Sequence, residues 1–280
     1  MSAVPSSPAA SHLNFFASFI EKELGIVYEA ANYYQLESRL KEICKNLEIE
    51  DVATLYSKAQ AQGITGNFKQ MLLDVATNNE TSFFRDPKVF KCIEDYLIPE
   101  LKKNNPATIV FRIWSAASSF GQEPYTLAML LNEMKAKDPS LPNFEIWTTD
   151  ISKAALERAK TGRYSQLEVQ RGLPPLLLIK YFEKDADNYW TLKNDIRSKV
   201  RFEEMNLLKM DKVVGHFDFV LCRNVLIYQN EERKKKIIAN IADRIKKGGF
   251  LILGASESLI NLSDAFEQIV TGGAVLYRKK

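Results

Sequence analysis

Two periodicities divide this chain of 280 residues. From Leu13 to about Lys103 apolar positions recur every three or four residues, as in helices that bury one stripe. Leu36, Leu40, Ile43, Cys44 and Leu47 form one such stripe, and Phe68, Met71, Leu72, Val75 and Ala76 another. Gly25 and Gly63 follow two of these segments, where a residue at ease with positive φ ends a helix. Beyond Pro106 the pattern changes to short apolar runs separated by amphipathic stretches. It predicts strands over 108–116, 144–151, 200–207, 217–225 and 250–255, and helices over 122–136, 153–161 and 231–246. Strands alternating with helices predict a parallel sheet covered on both faces. Residues 266–270 and 275–278, joined by Thr271-Gly272-Gly273-Ala274, predict a closing hairpin.

The domain plan follows. Residues 1–11, small, polar and proline-bearing, are expected to be a disordered leader. Residues 12–105 read as a helical domain and 106–280 as the sheet domain. Residues 163–199 break the alternation with Pro174, Pro175, an apolar run and Tyr189–Leu192, more chain than a connection needs. They are either an inserted subdomain or an irregular loop.

Composition narrows the class. With 46% hydrophobic and 26% charged residues the chain reads as an ordinary soluble globular protein. No apolar run approaches the roughly 20 residues of a membrane helix, and no signal-peptide core is visible. Cys44, Cys92 and Cys222 show no paired or metal-type spacing, which suits reduced thiols in a cytoplasm. The two histidines, His12 and His216, exclude a histidine-rich metal site and a histidine-based triad. A net charge of +3 is too small to imply nucleic acid. The run Arg233-Lys234-Lys235-Lys236 falls on a helix and reads as a solvated face.

The chemistry concentrates in Asn79-Glu80-Thr81-Ser82-Phe83-Phe84-Arg85-Asp86-Pro87. Asp86 before Pro87 predicts an N-cap with proline at the first helical position. Asn79, Thr81 and Arg85 then lie in an irregular loop, with Phe83 and Phe84 to anchor it. Such a loop is either an elaborate capping turn or a holder for a charged ligand. Open parallel sheets bind ligands beyond the carboxyl ends of their strands. The first such end, Trp114 to Pro124, has one glycine where a dinucleotide fold needs three, and no Gly-Lys-Ser/Thr. Glu123 there either complements a helix dipole or faces a cationic ligand. Asp150, at the second end, is an N-cap or a partner for ribose hydroxyls. Asn206 and Leu207 close the third end. Arg223 and Asn224 interrupt an otherwise apolar strand, which requires a ligand or a buried partner. Carboxylates and amides without phosphate-binding machinery suit a nucleoside that carries positive charge. S-adenosylmethionine, with a sulfonium and an ammonium, fits.

These segments resemble the CheR family, chemotaxis receptor methyltransferases that make glutamyl methyl esters on chemoreceptors. The matching residues are Asn79 through Asp86, Trp114-Ser115-Ala116-Ala117 through Gln122-Glu123-Pro124-Tyr125, Thr149-Asp150-Ile151, and Cys222-Arg223-Asn224-Val225-Leu226-Ile227-Tyr228. They follow the family's order over roughly residues 12–280, and the first and last are specific to it. The resemblance implies a class I S-adenosylmethionine-dependent methyltransferase: a Rossmann-like sheet, an N-terminal all-helical domain and a small β-subdomain over 163–199. It implies cofactor contacts from Asn79, Thr81, Arg85, Glu123, Asp150, Asn206, Leu207, Arg223 and Asn224, with S-adenosylhomocysteine as product and no metal. Arg85 and Tyr228 carry the catalytic expectation. The implied partner is the cytoplasmic helical region of chemoreceptors, met by a cytoplasmic monomer without membrane insertion.

A glutamate, with a pKa of about 4.3, is already ionised at neutral pH, so the transfer needs no general base. One departure from the family is Ser118-Ser119-Phe120-Gly121-Gln122, where many members read Cys/Ala-Ser-Thr-Gly-Glu; Glu123 is kept. Some members grip a receptor's C-terminal peptide through a glycine-rich turn, whereas 183–188 here contains no glycine. Independence from such a peptide is therefore expected. The resemblance also implies a substrate-facing surface of basic residues on the helical domain, for which Arg39, Lys41 and Lys45 are candidates. The alternatives are another protein acceptor, or a cofactor-binding regulator without catalysis, against which the intact Arg85, Asp150 and Asn224 weigh.

Overall fold

A computed structural model of the chain describes residues 8–28, 30–77, 79–210 and 215–280. Two compact units emerge, one of Met1–Asn78 with Tyr228–Asn230, the other of Asn79–Ile227 with Glu231–Lys280.

The first unit is helical. Its helices are Pro8–Leu24, Tyr33–Asn46, Val52–Gln62 and Gly66–Ala76. The predicted stripe is the buried one: Leu36, Leu40 and Ile43 are inaccessible to solvent, as are Phe16, Ile20, Leu55 and Leu72. Gly25 and Gly63 stand after their helices with φ of 79° and 75°. Asp51 starts the third helix by accepting from the Thr54 N–H at 2.8 Å. Of the expected leader, residues 1–7 lie outside the described residues, and residues 8–11 already belong to the first helix.

The second unit is built on ten strands: β1 (Val110–Ala116), β2 (Asn143–Asp150), β3 (Arg163–Tyr164), β4 (Phe182–Lys184), β5 (Trp190–Leu192), β6 (Val200–Glu204), β7 (Phe217–Cys222), β8 (Ile245–Leu253), β9 (Phe266–Thr271) and β10 (Ala274–Lys279). Seven form one sheet in the order β6-β2-β1-β7-β8-β10-β9. The first five in that order pair parallel, and β10 runs antiparallel to both neighbours. Strand order reverses between β1 and β7, which opens the ligand crevice of such folds at their carboxyl ends.

Alternation along the strands decides which layer each residue joins. Phe111, Ile113, Phe219, Leu221, Phe250 and Ile252 face one core with the helix Gln122–Lys137. Trp114, Ala116, Val220, Cys222, Leu251 and Leu253 face the other, with Ile237, Ile238 and Ile241 of the helix Glu231–Ala242. A register shift between Phe217 and Phe219 sends Phe217 to this second layer. The basic run lies on that helix, where Lys235 pairs with Glu231 at 2.6 Å.

Residues 87–104 correct the expected boundary at 105. They form one helical stretch, Pro87–Cys92, a wide turn Ile93–Leu97 and Ile98–Asn104, and belong to the sheet unit. Val89, Phe90, Ile93, Leu97, Ile98 and Leu101 enter the first sheet core. Periodicity tells which face of a helix is buried, and is silent on what buries it.

Over 163–199 the chain is ordered as a small antiparallel sheet of β3, β5 and β4, which favours the subdomain reading. In its glycine-free turn Asn188 takes the left-handed position, with φ of 65°. Arg163 braces the turn through Asp185 at 2.7 Å and Asp187 at 3.0 Å, and lies 3.9 Å from the Tyr189 ring centre.

The loop before Pro87 is anchored in this subdomain. Phe83 is inaccessible to solvent and meets Tyr164 and Phe182 edge-on, at ring separations of 5.0 and 5.7 Å. Phe84 packs on Phe90 at 5.5 Å. Gly172, with φ of +95°, lies so close that any Cβ there would overlap the Phe83 carbonyl oxygen. Among the described residues no helix is long and apolar enough to cross a membrane, and no cluster of His, Cys, Asp and Glu could hold a metal ion.

Gly172→Ala should therefore lower stability by about 1–3 kcal/mol, the range for overpacking, with the positive φ adding to it. Urea denaturation followed by fluorescence checks this; an unchanged midpoint would show that loop and subdomain are not in close packing.

Candidate active site

Three turns at the carboxyl edge of the sheet hold the polar residues together. The first follows β1. Ser115 Oγ donates to Glu123 Oε1 at 2.8 Å, and Arg223 Nη1 donates to Glu123 Oε2 at 3.0 Å. Both Glu123 oxygens are thus engaged inside the protein, beyond the helix-dipole role that its place in a first turn allows.

The second turn follows β2. Asp150 is only 6% exposed. Its Oδ2 accepts from the Ser119 N–H and its Oδ1 from the Ser152 N–H, both at 2.8 Å. The N-cap of the next helix is Ser152, which accepts from Ala155 N. Asp150 instead ties the β1 and β2 turns together, with its carboxylate at the sheet edge.

The third turn follows β7, which ends at Cys222, so Arg223 and Asn224 lie past the strand and not within it. The Arg223 side chain is 2% exposed. Besides Glu123 it donates to the Arg85 carbonyl at 2.8 Å and to the Asp86 carboxylate, and its guanidinium lies 5.7 Å from the Phe90 ring centre. This corrects the expectation for Asp86. It precedes Pro87 as predicted, but with φ of 59° and no side-chain cap its carboxylate serves Arg223.

The loop carrying Asn79, Thr81 and Arg85 is fastened to the same edge. Ser119 Oγ donates to the Asn79 carbonyl at 2.8 Å, and Phe84 N–H to Thr126 Oγ1 at 3.2 Å. Asn79, Thr81 and Arg85 are half-buried. Arg85 Nη1 donates to the Glu80 carbonyl at 3.0 Å. The Arg171 guanidinium, bonded to Glu80, holds that carboxyl below the usual range, and the charge of Arg85 adds to this. Asn206 and Leu207 follow β6, where Asn206 Oδ1 accepts from Leu208 N–H and the Leu207 carbonyl from Asn240, each at 2.9 Å.

The structure thus brings together Arg85, Glu123, Asp150, Arg223 and Asn224 at one edge, with the loop of Asn79 and Thr81 fastened to it and Asn206 and Leu207 just past the end of β6, the strand beside β2. Tyr228 ends the short turn Leu226–Tyr228, is 38% exposed, and is counted with the helical unit. Of the basic trio, Arg39 is spent internally on the Ala76 carbonyl at 2.8 Å and on Tyr28. Lys41 pairs with Glu37, and Lys45 is exposed near its helix end.

Strain marks the same edge. Phe84, Asp86, Ala117, Ser119 and Asn224 all have positive φ. Such conformations persist where surrounding contacts impose them, commonly at functional sites. Two nearly buried acceptors of the β1 turn, Ser118 Oγ and Gln122 Oε1, have no hydrogen-bond partner among the described residues. Orphaned buried polar atoms beside a carboxylate-lined edge fit a polar, cationic nucleoside.

Burial pushes the Tyr125 and Tyr164 hydroxyls upward, and they donate to the Ala159 and Phe120 carbonyls. Burial likewise raises the Cys222 thiol, with the Glu257 and Glu123 charges reinforcing it. Sequence reasoning overlooked Glu257, which accepts backbone bonds from the third turn. The available signal was an acidic residue three positions after Gly254 at a strand end.

Comparison with known proteins agrees with this geometry. Residues 79–274 match the family described as "CheR methyltransferase, SAM binding domain". A chemotaxis protein methyltransferase of Pseudomonas aeruginosa is 38% identical over 276 residues, covering 98% of this chain and 100% of that protein. One from Pseudomonas putida is 37% identical, covering 95% and 96%. One from Vibrio parahaemolyticus is 36% identical, covering 95% of each. With the family model matched over residues 79–274 and relatives 36–38% identical along nearly all of the chain, it belongs to the CheR family of S-adenosylmethionine-dependent chemotaxis methyltransferases.

Proposed function

We propose that the chain is a protein-glutamate O-methyltransferase that esterifies glutamates in the cytoplasmic helical region of chemoreceptors. The supporting observation is the loop with Arg85, fastened by Arg223 to the cofactor edge, while neither histidine of the chain, His12 nor His216, is among the residues assigned to the site. An ionised carboxylate is the acceptor that needs no base.

Bound S-adenosylmethionine supplies a methyl group made electrophilic by its sulfonium. Asp150 is assigned to the ribose hydroxyls, and Glu123 and Arg223 to the electrostatics at the β1–β7 crevice. Asn79, Thr81, Arg85 and Asn224 are assigned to the cofactor's polar groups, and Asn206 and Leu207 to the flank beside β2. Arg85 aligns the incoming carboxylate, because a guanidinium offers a rigid donor fork. Its hold must stay moderate: the carboxylate loses charge in the transition state, and tight ground-state pairing slows the reaction. Positioning of this kind supplies up to roughly 7–11 kcal/mol. Tyr228 is assigned a second hydrogen bond to the substrate, supported by its match to the family motif. The same reading takes the protein as a cytoplasmic monomer, with Lys41 and Lys45 of the helical domain facing the receptor.

Three outcomes are expected. Asp150→Ala should weaken S-adenosylmethionine and S-adenosylhomocysteine alike by about 1–3 kcal/mol, the range for a hydrogen bond to a charged group. Unchanged affinities in calorimetry would remove Asp150 from the cofactor site.

Receptors with and without a C-terminal pentapeptide should be methylated at similar rates, because the turn at 183–188 contains no glycine and is closed on itself by Arg163. A large loss of rate on trimming the tail would show the turn to be a tether.

Labelled methyl transferred to receptor should be released as volatile methanol by mild alkali. Arg85→Lys should keep its melting temperature while turnover falls about tenfold or more, since the charge stays and the fork is lost. Alkali-stable label would exclude a glutamyl ester, and a fully active Arg85→Lys enzyme would exclude Arg85 from catalysis.

A further inference from the structure

After β8 the chain turns through Gly254 to Glu257, and this carboxylate gathers five backbone N–H groups. Oε2 accepts from Gly254 at 2.7 Å and Asn224 at 2.8 Å. Oε1 accepts from Val225 at 2.8 Å, Leu226 at 2.7 Å and Ile227 at 3.3 Å. Four of the donors are consecutive, from Asn224 to Ile227. Successive amides curl around one anion only when the backbone forms a concave nest, and here the positive φ of Asn224, 59°, supplies the bend.

Gly254 is part of the device. A Cβ there would lie 2.8 Å from Glu257 Oε2, 2.9 Å from Asn224 N and 3.0 Å from Asn224 Nδ2. Carboxylate, nest and the Asn224 amide therefore share one space that admits no further atom.

We infer that Glu257 is a positioning residue for the cofactor: it sets the conformation of the Arg223–Ile227 turn and so the placement of Asn224. The inference rests on the reading that Asn224 contacts S-adenosylmethionine. Glu257 acts through the turn. A glutamine at 257 would keep one acceptor oxygen and present an NH2 group to the remaining amides. Either the Val225–Ile227 set or the Asn224 and Gly254 pair would then face a donor, and the bend at Asn224 would lose its constraint.

The test is calorimetric titration of S-adenosylhomocysteine into the full chain, with folding of each variant verified by circular dichroism. Asn224→Ala and Glu257→Gln should each weaken binding about ten- to a hundredfold, the effect of leaving such donors unmet. In methyl transfer, Glu257→Gln should raise the KM for S-adenosylmethionine and leave the KM for receptor unchanged. The double variant should bind no worse than the weaker single one, since both changes act through the same amide.

If Glu257→Gln does not fold, Gly254→Ala tests the same point, because its methyl group displaces the same turn. Full affinity in Asn224→Ala would overturn the cofactor reading of Asn224, and the inference with it. Weak binding in Asn224→Ala beside full affinity in Glu257→Gln would overturn the inference alone, as would losses that simply add in the double variant. A purely structural role for Glu257 would lower the melting temperature and leave the affinity of the folded protein intact.

Discussion

The second unit depends on how one buried cation is neutralised. Arg223 stands past the end of β7 with 2% of its side chain exposed. A guanidinium withdrawn from water is tolerable only if its donors find acceptors. The two Nη groups find Glu123 from the helix after β1, and the Arg85 carbonyl and Asp86 carboxylate from the loop before Pro87, while Nε has no partner among the described residues. Two segments that are far from Arg223 in sequence thus meet on this one residue. Losing one partner of such a pair costs about 3–5 kcal/mol, because the other charge stays buried. Left-handed backbone at Phe84 and Asp86, unfavourable by itself, is sustained by what Arg223 and the Phe83 packing return.

Much of the fold was legible in the sequence because burial and hydrogen bonding there act locally. Most strand and helix positions of the sheet unit fall within a few residues of those expected, since alternation and helical period record the two-layered core directly, but β8 begins at Ile245, inside the stretch read as the end of a helix. Leu36, Leu40 and Ile43 show the same for the helical unit. What the period could not reveal was partnership. Residues 87–104 carry a good helical stripe, yet the surface that covers it is the sheet.

The site was legible in its membership and less so in its wiring. Asp150 and Arg223 could be placed at strand ends because polar residues closing an apolar run need a reason to be there. Their partners were hidden, since Asp150 reaches Ser119 and Arg223 reaches Asp86 across long loops. Asp86-Pro87 matched a local capping rule, and a tertiary ion pair overrode it. Glu257 escaped notice for the opposite reason: its partners are backbone amides, which leave no side-chain signature in a sequence.

The placement of β10 between β8 and β9 has a consequence for how the sheet opens. β9 reaches the sheet only through β10, and β10 meets β8 at Tyr277 and Arg278, opposite Leu251 and Phe250. The hairpin is closed locally over Gly272 and Gly273, yet it buries Ala274 and Leu276 in one core and Phe266 and Tyr277 in the other. Both apolar layers thus extend past the parallel strands to this margin, and detaching the hairpin would wet each face of the sheet at once.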